Sequence, residues 1–440
     1  MNRNVLRSVR LAVFLLVWSA GAGPRPLGAQ TLTLGAAADS ALSTHPSVKA
    51  AQASVDAANA DRRAARAIRL PSLVASGGLL RFEEPMVVAP LHGFDPARPP
   101  DFDRTLVQGQ LGLDLTLFDG GARGARIRAA DELGASAARR KTASEMLLLA
   151  AVSDSYVSLL AGRAVLAAAD RQVASLEAEL TRAGQRLREG TTARVEVLRA
   201  EAALRDSEAD RATARARVGL AERGLARLMG VAPGSIGALR DVRVPTAVDP
   251  DGGVDPRVEA ARRVVAAAQA RVAQERAGRL PTFRASAGLQ NFGSGTGEFV
   301  TEWQAGLRVS WPLFTGGGRS SAIARAEADL RAAQEELRAA ELTVASELDG
   351  AEAARVEAAA RFEALEAAVA QWEEVARIEA LALEAGSGVQ QDFLRAEAAL
   401  FRARAGRARA RYDLVLAHVA RARVQGRLDR AWIDDALEVR

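Results

Sequence analysis

The heptapeptide Leu198-Arg199-Ala200-Glu201-Ala202-Ala203-Leu204 returns letter for letter as Leu394-Arg395-Ala396-Glu397-Ala398-Ala399-Leu400, an offset of 196. The same offset carries Leu117-Phe118-Asp119-Gly120-Gly121 onto Leu313-Phe314-Thr315-Gly316-Gly317, and Gly190 onto Gly386. Upstream, His45-Pro46 and Leu70-Pro71 match Asp255-Pro256 and Leu280-Pro281 at an offset of 210, so the first copy holds 14 extra residues between Leu70 and Leu117. A repeat this long is a duplicated domain-sized unit and not a solenoid. Whatever one half folds into, the other must echo, which points to two interlocked halves. The first copy covers 30–229, a linker 230–254, and the second copy 255–425; the tail 426–440 is charged and carries no readable pattern.

Residues 1–29 read as a secretory signal. Arg3, Arg7 and Arg10 form the basic start, Leu11 to Trp18 the apolar run, and Leu27-Gly28-Ala29 a small-residue cleavage site. The apolar run is too short to span a bilayer. Those residues hold Arg3, Arg7, Arg10 and Arg25 and no acid, so the formal charge of +5 falls to +1 in the mature chain. That removes the electrostatic case for a nucleic-acid partner. The chain has no cysteine, which excludes disulfides, thiolate metal sites and an N-terminal lipidated cysteine. After cleavage no run of roughly 18 apolar residues without charge remains, so an exported chain of this kind is either soluble or a β-barrel.

Each copy reads as a helix, a β-hairpin and a long helical hairpin. Alanine-rich sequence from Ala36 to Ile68 favours helix. The β-hairpins span 72–118 and 282–313, the first with a proline-bearing loop over 83–104 and the second with a glycine-rich turn over 293–297. Their strands alternate with period two. Leu111, Leu113 and Leu115 alternate with Gln110, Asp114 and Thr116, and Trp303, Ala305, Leu307, Val309 and Trp311 with Glu302, Gln304, Arg308 and Ser310. The helical hairpins span 120–229 and 318–425. Their first arms run without proline from about Arg123 to Glu189 and from Arg319 to Ala385, and would reach roughly 100 Å each. Val152, Leu159, Leu166, Val173, Leu180 and Leu187 recur every seven residues, as in a supercoiled helix.

A β-hairpin returns the chain to the side it left, so all the helices lie on one side of a four-stranded sheet. Strands of about ten residues have the length of tilted transmembrane strands. Four of them cannot close a barrel, and open edges are not tolerated in lipid. Two copies would give eight strands with a filled interior; three give twelve and a water channel.

The duplicated halves, Leu-Pro before the first strand of each copy, Leu-Phe-x-Gly-Gly closing the second, and a glycine turn ahead of Leu-Arg-Ala-Glu-Ala-Ala-Leu resemble the TolC family of outer-membrane efflux proteins over about residues 36–425. The resemblance implies a mainly α protein whose long helical hairpins form a periplasmic α-barrel, and a homotrimer whose strands form a twelve-stranded barrel in outer-membrane lipid. It further implies docking to a periplasmic adaptor and to an inner-membrane transporter of the resistance-nodulation-division or ABC type, as in tripartite efflux or type I secretion. The competing reading is a soluble periplasmic coiled-coil adaptor or scaffold, which leaves the two-faced strands without a purpose.

The family also suggests site residues. Asp392 falls where the family often places an aspartate at the periplasmic tip, with Glu196 its first-copy counterpart; a second family aspartate is replaced by Arg395, with Arg199 equivalent. These four residues are the expected lumen gate. Gly190, Thr191, Gly386 and Ser387, at the tips of the helical hairpins, are the expected adaptor contacts. Trp303 and Trp311, expected at the two ends of one strand on its apolar face, are candidate interfacial aromatics. No catalytic constellation, cofactor or metal site is read: His45, His92 and His418 lack metal-ligand spacing, and Gly316-Gly317-Gly318 is followed by Arg319-Ser320 in place of the end of a phosphate loop.

Overall fold

The computed structural model describes residues 31–88, 96–97, 100, 102–245, 253–295 and 299–438. The expected signal and His92 lie outside them. Two helices, α1 (Leu34–Thr44) and α2 (Pro46–Ala67), lead into β1 (Ser72–Val87) and β2 (Phe102–Phe118), then α3 (Ala122–Arg188) and α4 (Arg194–Met229). The second copy runs α5 (Pro256–Ala277), β3 (Thr282–Ser294), β4 (Phe299–Ser310), α6 (Gly318–Glu384) and α7 (Gln390–Val424), followed by a short α8 (Arg430–Ala436).

Local chemistry explains the boundaries. The His45 side chain accepts from Ser47 N–H, with Pro46 at the first turn, so His45 ends α1 and caps α2. Asp255 caps α5 in the same way from Arg257 N–H, again ahead of a proline. The strand-to-helix corners need two consecutive left-handed residues, Gly120 and Gly121 (φ 66° and 92°) and Gly316 and Gly317 (φ 58° and 85°), which side-chain-bearing residues rarely adopt. The 67 residues of α3 and of α6 each extend about 100 Å.

The strands form one antiparallel meander in the order β1-β2-β3-β4. Directly opposed residues share a face, so the register sorts the sheet. Ser76, Gln110 and Gln290 line up on one face, and Ala75, Leu111, Leu289 and Trp303 on the other. Both faces are open in the protomer, and on the apolar one Trp303 and Leu307 are each 77% exposed. Strand β1 continues through Glu83 to Val87, past a register shift after Arg81, where the sequence suggests loop; the pairing of Met86 and Val87 with Asp103 and Phe102 decides it. Strand β4 ends at Ser310, so Trp311 and Leu313 lie beyond the strand expected to hold them.

The principal core girdles the middle of α3, where Val152, Tyr156, Val157 and Leu159 are fully buried. Leu32 before α1, Val242 from the linker, and Leu428, Ile433 and Leu437 from the C-terminal tail complete it. The Tyr156 hydroxyl lies 2.7 Å from the carbonyl oxygens of both Leu32 and Arg240. Burial holds its phenol well above the ordinary range. The tail, patternless in the sequence, is therefore structural: α8 drives its apolar residues into this core. One window of α3 is apolar enough to cross a membrane, but half of it is buried inside the protomer, as in a core helix.

Candidate functional site

The two helical hairpins end side by side in the chemistry of their turns. Gly190 (φ 74°) follows the end of α3; its N–H donates to Leu187 O at 3.1 Å and Thr191 N–H reaches Arg186 O at 2.9 Å. Gly386 (φ 75°) repeats the pattern after α6, with Gly386 N–H on Leu383 O at 3.3 Å and Ser387 N–H on Ala382 O at 3.0 Å. Both are Schellman closures, in which a left-handed glycine lets the last carbonyls be satisfied. The Thr191 and Ser387 hydroxyls donate to those same Arg186 and Ala382 carbonyls, at 3.0 and 3.3 Å. All four residues are exposed. Around them Leu187, Val195, Leu381 and Val389 are exposed too, which gives the tip an apolar rim.

The acidic and basic residues expected at the gate come together within each hairpin. Asp392 stands in the first turn of α7 with Arg395 at 3.5 Å, and Glu196 in the first turn of α4 with Arg199 at 2.7 Å. Both pairs have the i,i+3 spacing of one helix face, and both carboxylates lie where a helix N-terminus favours negative charge. The Asp392–Arg395 pair is open to solvent, whereas one Glu196 carboxylate oxygen is buried without a hydrogen-bond partner.

Sequence reasoning missed the strongest polar feature near the tip. Glu179 of α3 is 0% exposed, held by Arg182 at 3.1 Å and Arg186 at 3.0 Å, and Arg182 approaches Glu384 of the second hairpin at 3.7 Å. Its signal was the Glu-x-x-Arg-x-x-x-Arg spacing, which puts three charges on one helix face. A second missed network joins α5 to α6 and α7: Arg257 binds Glu347 through two bonds of 2.9 and 2.6 Å and Asp255 at 2.8 Å, and Arg423 joins Glu347 at 3.1 Å. The Arg257 hydrogen bonds hold the Glu347 carboxyl below its ordinary value, Arg423 adding to the effect and burial opposing it.

At the sheet, Trp303 sits opposite Leu289, four residues inside the start of β4, and Trp311 beyond its end donates its indole N–H to Arg279 O at 3.2 Å. They do not mark the two ends of one strand. Trp311 alone stands at a strand terminus, on the side of the helices.

A model of the outer membrane efflux protein family matches residues 37–231 and 254–426, nearly all of both copies. The chain belongs to the outer membrane efflux protein family. The fold of this family member is shared by the outer membrane protein VceC from Vibrio cholerae, with a TM-score of 0.76 at 21% identity over 89% of this chain and 96% of that one. It is shared also by the open state of the MtrE outer membrane channel of Neisseria gonorrhoeae, with a TM-score of 0.73 at 20% identity over 90% of each chain. Among curated proteins, CyaE of Bordetella pertussis is 30% identical over 320 residues, 68% of this chain. That match spans 64% of the length of CyaE. In sheet, helical hairpins and duplication, this efflux-family member has the architecture of an outer-membrane channel protomer.

Proposed function

We propose that three copies of this chain assemble into a passive exit duct, a twelve-stranded barrel through the outer membrane continued by a tube of helices across the periplasm. The observation that carries this reading is the sheet. Its strands are of bilayer length, one face is apolar and 77% exposed at Leu307, the other is polar, and both edges are open. Edges left unpaired in lipid cost several kcal/mol per group, so β4 of one copy has to pair with β1 of the next. A soluble scaffold would leave the apolar face uncovered.

In this reading the duct performs no chemistry. A periplasmic adaptor seats on the tip around Gly190, Thr191, Gly386 and Ser387, where the apolar rim offers a hydrophobic contact. An inner-membrane transporter, of the resistance-nodulation-division or ABC type, supplies the energy. Asp392 and Glu196 face the narrow lumen, with Arg395 and Arg199 beside them to moderate their charge. Trp311 anchors the barrel at the periplasmic interface and Trp303 packs against lipid. Export by residues 1–29 without lipidation completes the route to the outer membrane.

Purified protein in planar bilayers tests the reading. Discrete channels are expected, and an Asp392→Ala variant is expected to lose part of its cation preference. A protein that leaves the cell envelope in buffer alone and forms no channels would refute the duct. Cysteine at Thr191 or Ser387 is expected to cross-link to a co-expressed adaptor.

A further inference from the structure

The polar face of the sheet carries more charge than wetness requires. Arg284 on β3 lies directly opposite Arg308 on β4, with Thr116 of β2 on the other side of Arg284. This row sits one pleat in from the helix-side end, where Thr282 faces Ser310. Like charges directly opposed across strands destabilise a sheet. Among the described residues neither guanidinium has an ion-pair partner. The nearest acid on that face, Asp114, pairs with Ser286 in the next row, and it too lacks a cationic partner. Together these residues line a shallow cavity of about 200 Å³ with Gln110, Ser286 and Gln304. Serine, threonine or glutamine satisfies a wet strand face, as the flanking positions do; a facing arginine pair is a costlier choice.

Assembly does not neutralise it. Strand β1, which the neighbouring copy brings beside β4, has no acidic residue before Glu83 at its far end. We propose that Arg284 and Arg308 of three copies form a cationic ring at the inner mouth of the barrel that binds multivalent anionic groups, favouring cargo that carries phosphate, sulfonate or clustered carboxylates. The proposal rests on the trimeric barrel above. Twelve strands about 4.8 Å apart, tilted by about 40°, enclose a lumen with its axis about 12 Å from the backbone wall. Guanidinium groups reaching inward bring that distance close to the Debye length of about 8 Å, so solute crossing the ring cannot avoid its field. The planar fork of arginine suits two-point recognition of phosphate and carboxylate oxygens. Charged rings of this sign select anions in other pores.

The test is block of single channels in planar bilayers by inositol hexakisphosphate added on the side where the barrel opens. The tip carboxylates, at the far end of helices about 100 Å long, do not enter this measurement. Wild-type channels are expected to be blocked in a concentration- and voltage-dependent manner. The Arg284→Gln/Arg308→Gln variant is expected still to form channels and to need at least about ten times more blocker, the loss of one charge-assisted contact or more. Arg284→Lys/Arg308→Lys keeps the charge and is expected to stay within a few fold of wild type. Equal block of the wild-type and glutamine channels, or no block of the wild type, overturns the ring and leaves the duct standing. A wild type that forms no channels overturns the duct and the ring with it.

Discussion

Tyr156 and Glu347 join segments that are far apart in the chain, and each fails in a different way when altered. Tyr156 is fully buried, with its hydroxyl against the carbonyls of Leu32 and Arg240. Tyr156→Phe keeps the ring but strips the Arg240 carbonyl of that donor, so a loss of about 1–2 kcal/mol is expected in thermal denaturation of the detergent-solubilised protein. Glu347 behaves as a paired carboxylate. Its folded-state pKa is lowered by Arg257 first and Arg423 second, so its contribution is complete above the ordinary glutamate value and fades as pH falls through the lower folded value. Glu347→Gln is therefore expected to cost about 1–2 kcal/mol at pH 7, reduced for partial exposure, and to flatten the acid limb of a stability–pH curve. An acid limb of unchanged slope would rule out this assignment. Neither residue is conspicuous in the sequence: Tyr156 is one aromatic in an apolar run, and Glu347 one of many acids on a long helix.

At the scale of elements, a closed tip and a sorted sheet make separable demands. At Gly386 an added Cβ would meet nothing within 4 Å, so Gly386→Ala is penalised only by its φ of 75°. That strain is about 1–2 kcal/mol, and faster amide exchange confined to the last turn of α6 and the first of α7 is the expected readout. In the sheet, Leu307→Arg puts a charge on the apolar face, where it costs about 2–4 kcal/mol per copy at the bilayer midplane. Gln304→Arg, on the opposite face, is expected to leave membrane assembly intact; heat-stable oligomer recovered from outer membranes distinguishes the two. The faces were legible in the sequence because period-two alternation ties each side chain to one side of the sheet. The helical hairpins were legible because glycine at Gly190 and Gly386 interrupts long proline-free runs. What escaped was decided by tertiary packing. Leu428, Ile433 and Leu437 enter the core from a helix of 7 residues and its two flanks, too short to show a period, amid charged neighbours. Glu179 reads like any solvated acid in the sequence, yet it is fully buried and held by Arg182 and Arg186. The end of β4 escaped because the alternation runs on through Trp311 and Leu313 after strand pairing has stopped.

The whole assembly is constrained by an asymmetry between the copies. Within the protomer, α7 packs on α3, and Leu394 of α7 lies against Val173 and Leu176 of α3 and Leu204 of α4. Moved by the repeat offset of 196, Leu394 becomes Leu198 of α4, and Val173 and Leu176 become Val369 and Trp372 of α6. Leu198 is 52% exposed and Trp372 39%, and α4 and α6 of one chain are not packed together. The same holds beside the buried Glu179: its second-copy equivalent is Val375 and that of its partner Arg182 is Ile378, exposed apolar side chains in place of an ion pair. Val369 is buried within the chain, but Leu198 and Trp372 are left open at its flank; if the proposed trimer closes through the surface used within the protomer, Leu198 of one copy lies on Trp372 of the next. Since the chain has no cysteine, Leu198→Cys/Trp372→Cys introduces the only thiols. Mild oxidation is expected to convert the channel into a covalent trimer on denaturing gels, with either single variant unlinked. Leu198→Asp is expected to weaken the trimer, since it buries a charge against indole. Failure of the double variant to cross-link, with Leu198→Asp trimers as stable as wild type, would show that the hairpins meet their neighbours by a different surface from the one they use within the chain.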